Sequence, residues 1–184
     1  MAGRTALVVI DVKLGIFDAP AGPPGSGLRA SSEEKGGLIG EPREAVSPVI
    51  CAQHRDGPGG LLEDGSERWE VRPRIAPISG DPIVRERTPD SFSDTTLSGE
   101  LGSRKIEGVV IAGMQTKYCV DTTCRRAFSL GYDVTFGRAA HGGTSDTDVL
   151  SAKQATAHHN GVLGGWFATA VNADEVRFGG RVAR

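Results

Sequence analysis

Short apolar runs recur along the chain and alternate with more polar stretches. Each run is long enough for one strand, and in chain order the runs cover residues 5–11, 47–53, 81–85, 107–113, 132–136 and 167–171. Apolar runs without regular polar alternation are typical of strands that are buried on both faces. The pattern therefore predicts a mostly parallel sheet of about six strands.

Helical patterns fall between several of these strands. Residues 117–130 place Val120, Cys124 and Phe128 near one face, and Gly131 follows where a helix would end. A second helix over 151–162 begins at a serine and has Gln154 at the position of a capping box. A third helix is expected over 31–45, although its glycines weaken that prediction. Strands alternating with helices predict a three-layer α/β/α, Rossmann-like fold.

Composition and charge narrow the class of protein. The chain has 184 residues, of which 38% are hydrophobic, so we expect a single domain covering residues 1–184. The net charge is -2 and no basic run stands out, which argues against a nucleic-acid partner. No apolar run approaches the ~20 residues that a membrane helix needs. The N-terminus has no signal-peptide pattern, so we expect a cytoplasmic protein with no membrane association.

Four reactive residues stand at or just after the ends of predicted strands: Asp11, His54, Glu86 and Cys119. Ligands of open parallel sheets bind at the carboxyl ends of the strands, so these side chains are expected around one small-molecule site. The helix predicted beside Cys119 would lower the thiol pKa and offer N–H groups to an oxyanion. We therefore predict Cys119 as a nucleophile and Asp11 as its base.

The sequence also allows purely structural roles for these residues. A lone cysteine is often a small buried hydrophobe, and a strand-end aspartate often bonds to a loop. Cys51, Cys119 and Cys124 form no CxxC motif and have no zinc spacing, which argues against a disulfide framework. A redox pair of Cys119 and Cys124 is disfavoured because a five-residue offset points two helical side chains about 140° apart.

One segment carries a specific resemblance. Ala112-Gly-Met-Gln-Thr-Lys-Tyr-Cys-Val120 resembles the nucleophile motif of the isochorismatase-like cysteine hydrolases. Residues 6–12 resemble the first strand of that family with its catalytic aspartate, and residues 150–165 resemble its streptothricin hydrolase and nicotinamidase-related branch. The resemblance implies an Asp–Lys–Cys triad that hydrolyses an amide through a thioester. It also implies an oxyanion hole formed by the backbone N–H groups of Gln115 and Cys119. In the family a cis peptide bond often precedes the first of these donors, and here that bond is Met114–Gln115.

The resemblance further implies a small-molecule substrate, no cofactor, and a homodimer or larger homo-oligomer. We expect the substrate to contact Phe17, His54, Trp69, Phe92 and Tyr118. Related nicotinamidases carry an Asp-x-His metal motif after the second strand. This chain has Ala52-Gln-His54 there, so we predict no metal site.

One position departs from the family pattern, because the residue that matches the triad lysine is Glu86. An acid at that place is expected to raise the pKa of Cys119. Arg85 and Arg87 flank it, but on a strand they point to the opposite face. Two functions remain open: an amide hydrolase that uses Asp11, Glu86 and Cys119, or an altered, non-hydrolytic member that binds a small molecule or catalyses a different reaction.

Overall fold

A computed structural model describes residues 4–17, 47–143, 146–172 and 175–178. The helix predicted over 31–45 lies outside the described residues, and so does the side chain of Phe17. The strands are β1 (Arg4–Ile10), β2 (Val49–His54), β3 (Ile83–Glu86), β4 (Ile106–Met114), β5 (Asp133–Gly142) and β6 (Thr169–Val171). The α-helices are α1 (Leu14–Phe17), α2 (Leu97–Ser103), α3 (Asp121–Ser129) and α4 (Ala152–Val162).

The six strands form one parallel sheet in the order β3-β2-β1-β4-β5-β6, which confirms the predicted sheet. The chain adds β2 and β3 on one side of β1, and then returns to add β4, β5 and β6 on the other side. The strand order therefore reverses between β1 and β4. Such a reversal opens a crevice at the carboxyl ends of the two strands, where ligands of open α/β sheets bind.

The two faces of the sheet bury separate apolar clusters. In β1, Ala6, Val8 and Ile10 point to the face that α2 and α3 cover, whereas Leu7 and Val9 point to the other face. All five side chains are at most 5% exposed. This arrangement explains why β1 is apolar at every position from Ala6 to Ile10, as expected for a strand segment covered on both sides.

Some element bounds differ from the sequence prediction. β5 continues to Gly142, beyond the predicted end at residue 136, because its pairing with β4 resumes after a register shift between Ile111 and Gly113. β6 begins only at Thr169, because a π-helical turn (Leu163–Phe167) extends α4. The capping box of Ser151 and Gln154 is present as predicted. Within the described ranges, every helix is too short or too polar to cross a membrane.

Gly113 allows β1 and β4 to approach closely at their carboxyl ends. Its φ is +132°, a conformation that L side chains rarely adopt. A Cβ added there would lie 2.0 Å from the carbonyl oxygen of Ile10. The absence of a side chain at this position therefore fixes the geometry of the crevice.

Candidate active site

The end of β1 presents the Asp11 carboxylate to the crevice. Asp11 has a φ of +52°, in the left-handed region that aspartate tolerates better than most residues. Its backbone N–H donates to the carbonyl oxygen of Ala52 at 2.9 Å. Its Oδ1 accepts a hydrogen bond of 2.6 Å from the backbone N–H of His54. These two bonds to β2 hold a carboxylate that is only 2% exposed.

Cys119 lies in the connection between β4 and α3. The expected helix start around residue 117 is a π-helical turn (Thr116–Val120), and the α-helix begins only at Asp121. The carbonyl oxygen of Gln115 accepts the backbone N–H groups of Tyr118 and Val120 at 3.0 and 3.3 Å. The peptide bond between Met114 and Gln115 is cis, as the resemblance implies. This turn holds the half-buried Cys119 at the crevice between β1 and β4.

Three predicted side chains meet in this crevice. The Cys119 Sγ and one carboxylate oxygen each of Asp11 and Glu86 all lie within 4.8 Å of one another. Glu86 is the last residue of β3, its side chain is fully buried, and neither of its oxygens makes a hydrogen bond of normal geometry with the described residues. The strand ends thus assemble a thiol and two carboxyl groups that are far apart in the sequence.

Lys13 completes the cluster, although the sequence analysis did not identify it. Its side chain is fully buried, and its Nζ lies 3.4 Å from Oδ1 of Asp11. Lys13 pairs with Val71 in an isolated antiparallel bridge, and Leu14 N–H donates to the carbonyl oxygen of Glu70 at 2.9 Å. The available signal was a lysine two residues beyond Asp11, just after the carboxyl end of the first predicted strand.

The arginines beside Glu86 point away from the cluster, as the strand alternation predicts. The Arg85 guanidinium lies 5.4 Å from the ring centre of Trp69, and its Nε is 3.4 Å from Asp64. Arg87 is exposed. The Nζ of Lys13 is 5.7 Å from the ring centre of the same Trp69. Neither arginine therefore replaces the triad lysine.

Burial and mutual charge govern the protonation of the cluster. Burial, reinforced by the neighbouring Asp11 carboxylate, raises the pKa of Glu86 to about 8. Burial also raises the pKa of Cys119 well above its ordinary value; Asp11 and Glu86 add to this rise, and Lys13 opposes it. Burial lowers the pKa of Lys13, while Asp11 acts in the opposite direction. The charge on Lys13 therefore favours the thiolate, whereas an ionised Glu86 disfavours it.

The remaining predicted contact residues fall into different places. His54 holds Asp11 through its backbone, while its ring Nε2 lies 3.4 Å from Asp56. The indole N–H of Trp69 donates to the carbonyl oxygen of His54 at 3.2 Å. Tyr118 is 53% exposed beside Cys119. The ring of Phe92, the other predicted substrate contact, is buried in the core and stacks on Tyr132.

The same cluster is the set of donors that a metal ion would meet. Within the described part of the chain, one group of three side chains has its potential metal-ligand atoms close together: Asp11, Glu86 and Cys119. The buried Lys13 ammonium already supplies positive charge beside Asp11. A divalent cation would be repelled by that ammonium, so the donor set is better suited to proton transfer than to metal binding.

Replacing Glu86 with glutamine is expected to change how the free energy of unfolding depends on pH. The folded-state pKa of Glu86 is raised from 4.5 to about 8, so the stability that this group contributes is present below pH 4.5 and is lost as the pH rises towards 8. Glutamine has no proton to lose. Between pH 5 and pH 9, the free energy of unfolding of the E86Q variant should therefore rise by on the order of 4 kcal/mol relative to that of wild type.

Urea unfolding of both proteins at one-unit pH steps measures this difference. The control is E107Q, which replaces an exposed acid on β4 and should run parallel to wild type at every pH. Parallel curves for E86Q and wild type would contradict the raised pKa of Glu86.

Comparisons with known proteins point to one family. The family model described as Isochorismatase domain matches residues 5–166. A streptothricin hydrolase from Streptomyces noursei is 27% identical over 136 residues, which are 74% of this chain and 49% of that enzyme. The ureidoacrylate amidohydrolase RutB of Agrobacterium fabrum is 30% identical over 111 residues, 60% of this chain and 47% of that enzyme. This chain thus spans about half the length of these two relatives.

A solved structure agrees over nearly the whole chain. A protein from Oleispira antarctica, described as an isochorismatase hydrolase, superposes with a TM-score of 0.85 at 28% identity. The match covers 95% of this chain and 96% of that one. The match of the family model to residues 5–166 includes the central strands and the turn that carries Cys119.

Proposed function

Because this chain belongs to the isochorismatase family, we propose that it is a cysteine-dependent hydrolase of an amide bond in a small molecule. The observation that carries the proposal is the approach of the Cys119 Sγ and an Asp11 carboxylate oxygen to within 4.8 Å at the reversal point of the sheet. A carboxylate this near a thiol can take up its proton after a small shift or through one water, so the two groups can act as nucleophile and base in acyl transfer.

In the first half of the reaction, Asp11 accepts the proton of the Cys119 thiol as the sulfur attacks the carbonyl carbon of the substrate. The carbonyl oxygen becomes an oxyanion, which the backbone N–H groups of Gln115 and Cys119 would accept. The C–N bond then breaks, and Asp11 passes its proton to the leaving nitrogen. The amine departs, and the acyl group remains on Cys119 as a thioester.

In the second half, a water molecule attacks the thioester carbon while Asp11 accepts one of its protons. The C–S bond breaks, and the Cys119 sulfur recovers that proton from Asp11. The product is a carboxylic acid, and the enzyme returns to its starting state. One carboxylate thus serves both half-reactions because it alternates between base and acid.

The proposed substrate class follows the relatives and the shape of the site. The two named relatives are a streptothricin hydrolase and a ureidoacrylate amidohydrolase, and the second name specifies an amide. Around the crevice, Trp69 and His54 are partly buried and Tyr118 is exposed. These three side chains are our proposed substrate contacts.

Mass spectrometry tests the thioester directly. The protein is mixed with a panel of acyl p-nitroanilides and small primary amides, quenched in acid and digested. Cys119 and Cys124 share one tryptic peptide, so fragmentation of that peptide assigns the adduct. We expect the acyl mass on Cys119 and not on Cys51 or Cys124, which are both buried. The C119A variant, which lacks the nucleophile, is the control and should give neither adduct nor product. Hydrolysis that persists in C119A would contradict the proposal.

A non-hydrolytic family member is the second candidate, and Glu86 is the observation that favours it. A fully buried acid stands in the cluster at the position that matches the family lysine, and its charge opposes formation of the thiolate. Under this alternative, wild type turns over no amide of the panel. The E86K variant, which restores a lysine there, would then hydrolyse amides that the natural protein leaves intact.

A further inference from the structure

The cluster contains an aspartate, a cysteine and a lysine, as the family triad does, but here the lysine follows β1 and an acid ends β3. The resemblance puts the triad lysine at the end of the third strand, where this chain has Glu86. The buried positive charge stands instead on Lys13, just beyond β1 and 3.4 Å from Asp11. Arg85 and Arg87, the cations next to Glu86 in sequence, face away from the site.

We infer that Lys13 and Glu86 form an exchanged charge pair, in which Lys13 supplies the cation that favours the Cys119 thiolate and Glu86 is a neutral acid in the active enzyme. The inference rests on the proposed role of Cys119 as the nucleophile. It assigns a function to Lys13, which acts through Asp11 and Cys119 and is therefore a positioning residue.

The surroundings of Lys13 support its part of the inference. A fully buried ammonium is costly unless a counter-charge is near, and Asp11 provides one. Among the described residues, the Lys13 Nζ makes no hydrogen bond of normal geometry, and its ion pair with Asp11 is 3.4 Å long. The bridge to Val71 holds its backbone beside the crevice. Such a cation stabilises a developing thiolate by direct Coulomb attraction in a site of low dielectric.

The charge balance of the cluster supports the part of Glu86. The titratable and charged groups packed around it are Asp11 and Lys13 after β1, His54 beside it on β2, and Cys119 after β4. With Asp11 ionised, Lys13 protonated and Cys119 a thiol, these three carry no net charge. A second ionised carboxylate would leave the buried site with an uncompensated negative charge. Glu86 therefore stays protonated until the pH exceeds its raised pKa of about 8.

The rate of alkylation of Cys119 tests the inference without any substrate. The intact protein reacts with iodoacetamide between pH 6 and pH 10, and digestion followed by mass spectrometry resolves the adduct on Cys119 from those on the other cysteines. We expect K13M to slow alkylation at pH 8 about tenfold or more and to move the profile to higher pH. K13R keeps the charge and should stay within about threefold of wild type.

The Glu86 side of the pair predicts the opposite shift. E86Q cannot ionise, so its thiol should react about tenfold faster at pH 9 and its profile should move to lower pH. The control K153M, which removes an exposed lysine on α4, should match wild type throughout. Equal profiles for wild type, K13M and E86Q would overturn the inference.

A charge reversal tests whether the two positions act together. K13E leaves the cluster without a cation and should give the slowest alkylation, whereas K13E/E86K returns one cation and should recover much of the rate. A double variant that reacts no faster than K13E would also overturn the exchange. If K13E does not fold, K13M and K13R decide the question.

The inference and the proposed function fail in different ways. Wild type that hydrolyses no amide, but whose alkylation profile shifts in K13M and E86Q as expected, would remove the hydrolase and keep the charge pair. An acyl group on Cys119 together with unshifted profiles would keep the hydrolase and remove the charge pair.

Discussion

Replacing Asp11 with asparagine is expected to lower the rate of amide hydrolysis by about 10³-fold, because the amide cannot accept the thiol proton or return it to the leaving nitrogen. The asparagine has nearly the same shape, and its side-chain oxygen can still accept the backbone N–H of His54 that Asp11 accepts at 2.6 Å. The variant therefore removes the proton acceptor while leaving the local backbone bond in place. Initial rates on the best amide of the panel measure the loss.

Stability must be separated from catalysis in this variant. Without the carboxylate, the buried Lys13 loses its nearby counter-charge, and removing one partner of a buried pair costs about 3–5 kcal/mol. Rates are therefore compared well below the unfolding temperature, with the folded fraction checked by circular dichroism. D148N, which replaces an exposed acid, is the control and should retain full activity. A folded D11N variant that keeps a tenth of the wild-type rate would exclude Asp11 as the base.

Replacing Gly113 with alanine is expected to lower the free energy of unfolding by more than about 4 kcal/mol, or to prevent folding altogether. The new Cβ would lie 2.0 Å from the carbonyl oxygen and 2.7 Å from the backbone nitrogen of Ile10, in a backbone conformation with φ of +132°. Both obstacles are backbone atoms of the central strand pair, so no side chain can move aside to relieve them. Urea unfolding and the yield of soluble protein measure the effect.

A second glycine provides the matched control. Gly161 lies in α4, and a Cβ built there meets nothing within 4 Å. Alanine has the higher helix propensity, so G161A should stabilise the protein by up to about 1 kcal/mol. A G113A variant within about 1 kcal/mol of wild type would mean that β1 and β4 can separate without cost at their carboxyl ends.

The sheet could be predicted from the sequence because its strands are buried on both faces. In β1 and β4, every core position is apolar, and that pattern is visible without any knowledge of partners. The ends of β5 and β6 were harder to predict. Arg138 and Ala139 are exposed within β5, and the π-helical turn before β6 places apolar residues in a segment that resembles a strand. Tertiary pairing, rather than local pattern, set those bounds.

The site residues that lie at strand ends could be predicted from the sequence. The one whose role depends on its burial could not. Asp11, Glu86 and Cys119 follow apolar runs, and the parallel order brings their ends together. Lys13 follows β1 too, but lysines are nearly always exposed, so its sequence context predicts a surface residue. Only the bridge to Val71 and the approach to Asp11 place its ammonium inside. Phe92 is buried in the core, and the sequence alone does not distinguish a core aromatic residue from one that also contacts a substrate.

The pairing of β1 with β4 also has a consequence for how the protein is made. Domains are synthesised from the amino terminus, so the segment that holds Asp11 and Lys13 leaves the ribosome well before the one that holds Cys119. Contacts between distant segments form late in folding. A nascent chain therefore keeps Cys119 apart from Asp11 and Lys13, and these side chains meet only when β4 has paired with β1.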